Sequence, residues 1–147
     1  MATVRQLLAS KGPVVWSVSP ETTVFAALQL MAEKNIGAVV VTHADELVGI
    51  FSERDYARKV ILHGKSSHNT TISDLMTRKV YFVKPNRSLS ACLHLMTERR
   101  IRHLPVKDEG KLVGIITIGD VVKEMISEQA NTIQELESYI AGNGYGA

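Results

Sequence analysis

At 147 residues the chain is long enough for one ordinary domain, or for two small units that share a core. Seventeen basic residues against 15 acidic ones give a net charge of +2 without any basic run, which argues against nucleic-acid binding. The single cysteine, Cys92, excludes an internal disulfide and a multi-cysteine metal site. No signal peptide or membrane-length apolar run is recognisable, so a cytoplasmic protein without membrane contact is expected.

An internal repeat organises the sequence. Residues 14–61 align without a gap on residues 79–126, and Pro20 then matches Pro85 while Asp55 matches Asp120. Upstream, residues 4–8 resemble residues 72–76. We therefore predict one repeat over residues 1–62, a polar linker over 63–71, a second repeat over 72–128, and a C-terminal helix with a frayed tail over 129–147.

The two repeats predict the same order of elements, β-α-β-β-α, after a short helical turn. In each, a proline opens a helix whose apolar residues recur at helical spacing, which indicates one buried face. The predicted turns, first strands and second strands are Val4–Leu8 and Ile72–Met76, Val14–Val18 and Val80–Val83, and Ala38–Thr42 and His103–Lys107. The predicted buried faces are Val24, Ala27, Leu28 and Met31, and Leu89, Cys92, Leu93 and Met96.

The predicted C-terminal helix begins at a capping-box pattern. Thr132 followed three residues later by Glu135 has the pattern of a capping box. Ile133, Leu136 and Ile140 then fall on one side of the helix. We expect this helix to cover apolar surface of its own subunit or of a partner.

Each repeat also contains a turn that runs from a buried strand directly into a helix. The sequence Gly49-Ile-Phe-Ser52-Glu-Arg-Asp55 has its counterpart in Gly114-Ile-Ile-Thr117-Ile-Gly-Asp120. The hydroxyl at the N-cap and the carboxylate three positions later form a capping-box pattern, which by itself explains both residues. A helix N-terminus at the end of a strand is also an anion and sugar site, so both interpretations stay open.

The repeated element order, the prolines, the segment Arg102-His-Leu-Pro-Val106 and the two duplicated turns resemble a pair of cystathionine-β-synthase (CBS) domains. The resemblance covers nearly everything from Val4 to Ser127. It implies an α/β (α+β) fold with two tandem repeats related by pseudo-two-fold symmetry. It also implies a stand-alone regulatory module with two clefts between the repeats, where relatives bind adenosine nucleotides.

Carried over from the family, each cleft takes residues from both repeats. In one cleft Asp120 would hold ribose and Thr117 phosphate, and adenine would lie against Ser19, Val24, Ile36, Gly37 and Ala38. In the other, Asp55 and Ser52 would face Lys84, Leu89, Ile101, Arg102 and His103, with Arg54 as a further cation. Because that second cleft is richer in cations, we expect it to favour the more phosphorylated ligand. Arg102 and His103 could instead be exposed residues of a strand edge.

The sequence thus predicts an adenine-nucleotide sensor. AMP is the expected ligand, with ATP, ADP or NAD(H) as alternatives, and no catalytic cofactor or metal is expected. A homodimer and an unidentified effector protein are expected from the family and from apolar helix faces that two repeats leave exposed. Ser52, His103 and Asp55 are the only triad-like residue types, but nothing orients the histidine, so no enzyme is expected. The alternative is a structural scaffold whose clefts are vestigial.

Overall fold

The computed structural model describes residues 2–145, and their side chains as far as Ala141. The elements follow in the order α1 (Val4–Lys11), β1 (Ser17–Val18), α2 (Val24–Lys34), β2 (Ala38–His43), β3 (Glu46–Ser52), α3 (Glu53–Asp55), α4 (Ile72–Leu75), α5 (Leu89–Arg99), β4 (His103–Asp108), β5 (Lys111–Thr117) and α6 (Ile118–Tyr145). A π-helical turn over Tyr56–Val60 and a 3-10 turn over Ile61–His63 continue α3. The predicted α+β architecture with two repeats is confirmed.

The strands form two small sheets. In the first, β1 pairs parallel with β2, and β2 pairs antiparallel with β3. In the second, β4 pairs with β5. The first strand predicted for each repeat is shorter than expected: only Ser17 and Val18 form β1, and residues 80–83 contribute a single parallel bridge from Val83 to Val106. Apolar, β-branched sequence favours extended backbone, but without further ladder partners it forms no strand.

The first helix of each repeat buries the face that the periodicity predicts. Val24, Ala27 and Met31 are buried on α2, and Leu89, Cys92 and Met96 are buried on α5. The expected Leu28 and Leu93 are half-buried at the edges of these faces. The prediction that Pro20 and Pro85 open these helices is wrong, because both prolines lie before the helix caps. Hydroxyl side chains begin both helices instead: Thr23 accepts a hydrogen bond from Ala26 N and Ser88 accepts one from Ala91 N, each at 3.1 Å.

The start of the chain docks on the second repeat. Val4 N donates to Arg87 O at 2.9 Å, and Arg5 N donates to Pro85 O at 2.8 Å. A third bond runs in the opposite direction, from Leu89 N to Ala2 O, at 3.0 Å. These bonds satisfy backbone groups at the beginning of α1 and α5, which otherwise have no intrahelical partner.

The equivalent segment of the second repeat docks on the first in the same way. Ile72 N donates to Thr22 O and Ser73 N to Pro20 O, both at 2.8 Å, while Val24 N donates to Thr70 O at 2.9 Å. The two repeats therefore exchange their leading helices.

Because of this exchange, the compact units of the fold differ from the sequence repeats. Within the described residues, one unit comprises the residues up to Pro13, Val83–Val106 and those from Ile115 on, and the other comprises Val14–Phe82 and Lys107–Gly114. We call these unit 1 and unit 2. The core of unit 2 consists of Val24, Ala27, Met31, Val39, Val41, Phe51, Val60, Ile72, Leu75 and Met76. Buried residues of unit 1 include Val4, Leu7, Leu89, Cys92, Met96, Leu104, Ile116 and Val121.

The prediction of a separate helix beginning at Thr132 is wrong. A single helix, α6, spans 28 residues from Ile118 to Tyr145. The Thr132 hydroxyl donates to Glu128 O at 3.0 Å, four residues back, instead of capping a new helix. No glycine or proline interrupts residues 120–141, so the intrahelical ladder satisfies the N–H groups that a cap would have served. The predicted frayed tail is helical up to Tyr145, and its last two residues lie outside the described range.

Candidate functional site

The first duplicated turn lies in unit 2, where β3 passes into α3. Ser52 is paired with Ala38 at the end of the β2–β3 ladder, and Glu53 N donates to Gly37 O at 3.0 Å. The Ser52 hydroxyl accepts from Asp55 N at 3.2 Å, and Asp55 Oδ2 accepts from Ser52 N at 3.0 Å. The predicted capping box is therefore formed, and the strand end holds it in place.

Lys59 supplies a positive charge to this turn. Its Nζ lies 3.4 Å from Asp55 Oδ1 and donates to Leu75 O at 3.2 Å. The Lys59 side chain is 42% exposed and the Asp55 side chain 17% exposed. An ion pair of this spacing and exposure on a helix stabilises by only about 0.3–0.5 kcal/mol.

The second duplicated turn lies in unit 1, where β5 passes into α6. Thr117 Oγ1 accepts from Asp120 N at 3.0 Å, and Asp120 Oδ2 accepts from Thr117 N at 2.9 Å. Ile118 N donates to Arg102 O at 2.9 Å, which is the counterpart of the bond between Glu53 and Gly37. The sequence equivalence of the two turns thus extends to their backbone geometry.

A lysine from the start of the chain completes the second turn. Lys11, the last residue of α1, places Nζ 2.6 Å from Asp120 Oδ2 and 2.8 Å from Ile115 O. The two charged side chains are only 30% and 28% exposed. Lys11 was not predicted as a site residue, because its contact with Asp120 exists only once α1 has docked on the second repeat. A basic residue in the last turn of α1 was the available signal, but it is common at helix ends.

The charges in unit 1 act on one another. Burial alone would raise the pKa of Asp120, but hydrogen bonds from Lys11 and Thr117 and the lysine charge together lower it. Burial lowers the pKa of His103, as do the charges of Lys11 and Arg102, while Asp120 opposes them. At neutral pH this cluster therefore combines an ionised carboxylate, two fixed cations and a neutral imidazole, a combination suited to a ligand with hydroxyl and phosphate groups.

The structure divides the predicted site residues between the two units. Unit 2 holds Ser19, Val24, Ile36, Gly37, Ala38, Ser52, Arg54 and Asp55, and unit 1 holds Lys84, Leu89, Ile101, Arg102, His103, Thr117 and Asp120. Each predicted cleft draws on both units, so its complete composition stays a prediction.

Within the units, some of these residues lie close to each other and others are buried in the core. Arg102 and His103, predicted for the Asp55 cleft, act electrostatically in the unit that contains Asp120. Lys11 lies beside Asp120 and Lys59 beside Asp55, so each turn has one paired lysine, and the expected concentration of cations in the Asp55 cleft stays a prediction. Val24 and Leu89, at 0% and 1% exposure, are core residues, a location that favours packing over ligand contact.

The comparison with known families is decisive for the fold. The model of the CBS domain matches residues 4–62 and 72–127. The chain belongs to the CBS-domain family. The two matches cover the two sequence repeats, each of which contributes one of the duplicated turns.

The similar proteins also contain CBS domains. The mitochondrial CBS domain-containing protein CBSX3 of Arabidopsis thaliana is 40% identical over 97% of this chain and 73% of its own length. The CBS domain-containing protein YhcV of Bacillus subtilis is 33% identical over 90% of this chain and 92% of its own. A solved structure of a protein with CBS domains from Burkholderia ambifaria MC40-6 is 48% identical, with a TM-score of 0.84 over 87% of this chain and 96% of that one.

A more distant structure includes ligands. The CBS pair of protein MJ0100 was solved with 5′-methylthioadenosine and S-adenosyl-L-methionine, and it is 22% identical to this chain with a TM-score of 0.75. It covers 87% of this chain and 98% of its own length. At that identity the likeness establishes the shared fold. No helix among residues 2–145 is long and apolar enough to cross a membrane.

Proposed function

We propose that this CBS pair is a regulatory module that binds an adenine nucleotide, and that Asp120 and Asp55 accept the ribose hydroxyls. The single observation that carries the proposal is the ion pair of Lys11 and Asp120 at the N-terminus of α6, with His103 in electrostatic contact with both residues. It combines a fixed carboxylate with a cation on a helix start, the chemistry that a sugar phosphate requires. The complex of MJ0100 with two adenosine compounds gives a precedent for the ligand class within this fold.

The proposed roles follow from the contacts of Asp120. Oδ2 already accepts from Thr117 N and Lys11 Nζ, so a ribose hydroxyl would donate to Oδ1 or displace the lysine. Lys11 and Arg102 would then neutralise a phosphate, together with the Thr117 hydroxyl. Because Lys11 lies 2.6 Å from Asp120, closer than Lys59 at 3.4 Å from Asp55, we propose this half-site, instead of the Asp55 half-site, for the more phosphorylated ligand. AMP is the first candidate, followed by ADP, ATP and NAD(H).

We propose that the output is regulatory and not catalytic. Ser52 and Asp55 are already engaged with each other as a helix cap, and His103 lies with Asp120 in unit 1. A nucleotide would act by stabilising one arrangement of the module in a homodimer, which an effector protein then recognises.

One observation favours the second candidate function, a scaffold without a ligand. Both Asp55 and Asp120 complete capping boxes, so each carboxylate already has a structural role. In this candidate the duplicated turns only stabilise the starts of α3 and α6.

Ligand titration separates the two functions. We would first identify compounds retained through native purification by mass spectrometry, and then titrate AMP, ADP, ATP and NAD(H) while following thermal unfolding. A ligand that binds the folded state raises the melting temperature. At a concentration about one hundred times its dissociation constant, it increases the free energy of unfolding by about 2.7 kcal/mol.

Two asparagine variants test the ribose contacts. Asp120→Asn and Asp55→Asn should each weaken binding by about tenfold, the effect of losing one hydrogen bond to a charged acceptor. Asp108→Asn removes an exposed carboxylate outside the turns and serves as the matched control. If no adenine nucleotide shifts the melting temperature of the unsubstituted protein, the scaffold function is correct instead.

A further inference from the structure

Residues 129–140 of α6 are not covered by their own chain. Val121 is buried, and Glu124, Met125 and Glu128 are half-buried at helical spacing, so this face of α6 packs against unit 1. Ala2 N donates to Glu128 Oε2 at 3.3 Å. Every residue from Gln129 to Ile140 is exposed. A helical segment of this length is marginally stable in water without packing, so this part of α6 needs a partner surface to be stable.

A second face of α6 has the spacing of a coiled-coil seam. Six positions alternate steps of four and three residues along the helix, a mean period of 3.5, which is the repeat that keeps one stripe facing a partner helix. Five of them are apolar and 40–61% exposed, and the sixth is a glutamine. These seam positions are Val122, Ile126, Gln129, Ile133, Leu136 and Ile140.

We propose that a second copy of this chain covers the seam, with the two α6 helices antiparallel. In this arrangement Val122 packs against Ile140 of the partner subunit, and Ile126 packs against the partner's Leu136. Gln129 lies beside the partner's Ile133 next to the two-fold axis. A polar residue within a seam lowers stability but restricts the register, as in other coiled coils. This inference is independent of the proposed nucleotide binding.

Charge determines the direction of the pairing. Lys123 and Glu137 flank the seam on the same side of the helix and are both exposed. In the antiparallel register Lys123 lies opposite the partner's Glu137, and the two-fold axis creates this ion pair twice. In a parallel pair the same residues would be ~21 Å apart along the axis, since each residue advances the helix by 1.5 Å. Antiparallel helix dipoles also attract each other.

Charge also argues against a membrane as the occupant of the seam. From Glu124 to the end of the chain there is no lysine or arginine, whereas Glu124, Glu128, Glu135 and Glu137 are all acidic. Helices that lie on anionic lipid surfaces have a basic polar face. An acidic helix with one lysine near its start instead complements a reversed copy of itself.

Cysteine cross-linking tests the register directly. Full-length Gln129→Cys and Ile133→Cys proteins would be oxidised separately and as a mixture, with buried Cys92 left in place. An antiparallel pair should give disulfide dimers in the mixture and almost none in either protein alone, because a disulfide requires Cα atoms about 4.4–6.8 Å apart. A parallel pair would cross-link each protein alone. Either that result or no cross-linking at all would overturn the proposal.

A charge exchange provides an independent test. Lys123→Glu and Glu137→Lys should each raise the dissociation constant of the dimer by about three- to tenfold, measured by sedimentation, and the double exchange should restore it. Glu135→Lys makes the same charge change outside the seam and should leave association unaltered. If the double exchange is as weak as the single variants, Lys123 does not face the partner's Glu137 and the antiparallel register is wrong.

Discussion

Lys11 and Asp120, 109 positions apart in the chain, form a 2.6 Å ion pair that joins the end of α1 to the first turn of α6. The pair brings a cation from the beginning of the chain to a capping box of the second repeat. The carboxylate at this turn is therefore both a helix cap and one partner of a long-range ion pair. The corresponding carboxylate of the first repeat, Asp55, is paired with a lysine only four residues away.

Replacing Lys11 should change the acid–base behaviour of its neighbours. In Lys11→Met, the pKa of Asp120 should rise because it loses a hydrogen bond and a positive charge, and the pKa of His103 should rise because a repelling cation is gone. NMR titration of the Asp120 carboxyl and the His103 ring measures both. Lys11→Arg, which keeps the charge, should resemble the unsubstituted protein. Unchanged pKa values in Lys11→Met would show that the ion pair is absent in solution.

His103 should make the protein less stable in mild acid. Its pKa is lowered in the folded state, so the unfolded chain, where histidine titrates near pH 6.5, takes up the proton first. Stability should therefore fall as the pH drops below about 6.5, until folded His103 is protonated as well. Urea unfolding between pH 7 and pH 5 should show a flatter profile for His103→Gln. Equal profiles for His103→Gln and the unsubstituted protein would show that His103 does not cause the loss of stability in mild acid.

Asp120 affects stability in a separate, more acidic pH range. Its lowered pKa stabilises the fold above the unfolded value, and this contribution is lost as the pH falls below about 3.9 towards the folded pKa. The two titrations can therefore be measured in one series of unfolding experiments.

Gly49 should not tolerate a side chain. A Cβ atom there would lie 2.5 Å from Met76 Sδ and 3.1 Å from the carbonyl oxygen of Thr77. The methionine can move, but Thr77 is held by paired backbone bonds to Ile50 at 2.9 and 3.0 Å. Gly49→Ala should thus lower the free energy of unfolding by about 1–3 kcal/mol, measured from urea midpoints.

Gly119→Ala is the matched control for that substitution. The added methyl would meet only Thr117 Oγ1, at an ordinary 3.7 Å, and alanine favours the helix by up to about 1 kcal/mol. Equal stability of Gly49→Ala and the unsubstituted protein would mean that the backbone at Thr77 moves without a measurable loss of stability.

Cys92 should react slowly with thiol reagents in the folded protein. The side chain is buried, and burial raises the pKa of the thiol, although the charge of Arg87 partly opposes the change. Little thiolate is then available at neutral pH. Reaction with a disulfide reagent should be complete only after denaturation, whereas an exposed cysteine in Ser127→Cys should react at once. Fast reaction of native Cys92 would contradict its place in the core.

The local parts of the site were predictable from sequence, and the long-range parts were not. Ser52 with Asp55 and Thr117 with Asp120 are separated by three residues, so a short pattern determines their capping bonds. Lys11 reaches Asp120 only after the leading helices have been exchanged, and no local pattern contains that information.

Two errors have a similar physical origin. Thr132 has a good capping pattern, but nothing before it ends the helix, so the continuing ladder prevails. Residues 80–83 have strand-like composition, yet a strand needs partners along its length and only Val83 has one. In both places the neighbours decided between alternatives that the local sequence allowed equally.

The exchange of leading helices has a consequence for fragments of the chain. A chain cut within the polar segment near Ser66 would leave two fragments, each carrying the short helix that the other requires. Neither fragment alone could complete its hydrophobic core, but the two fragments should assemble when they are co-expressed. Half of this protein is therefore expected to fold only when the complementary fragment is present.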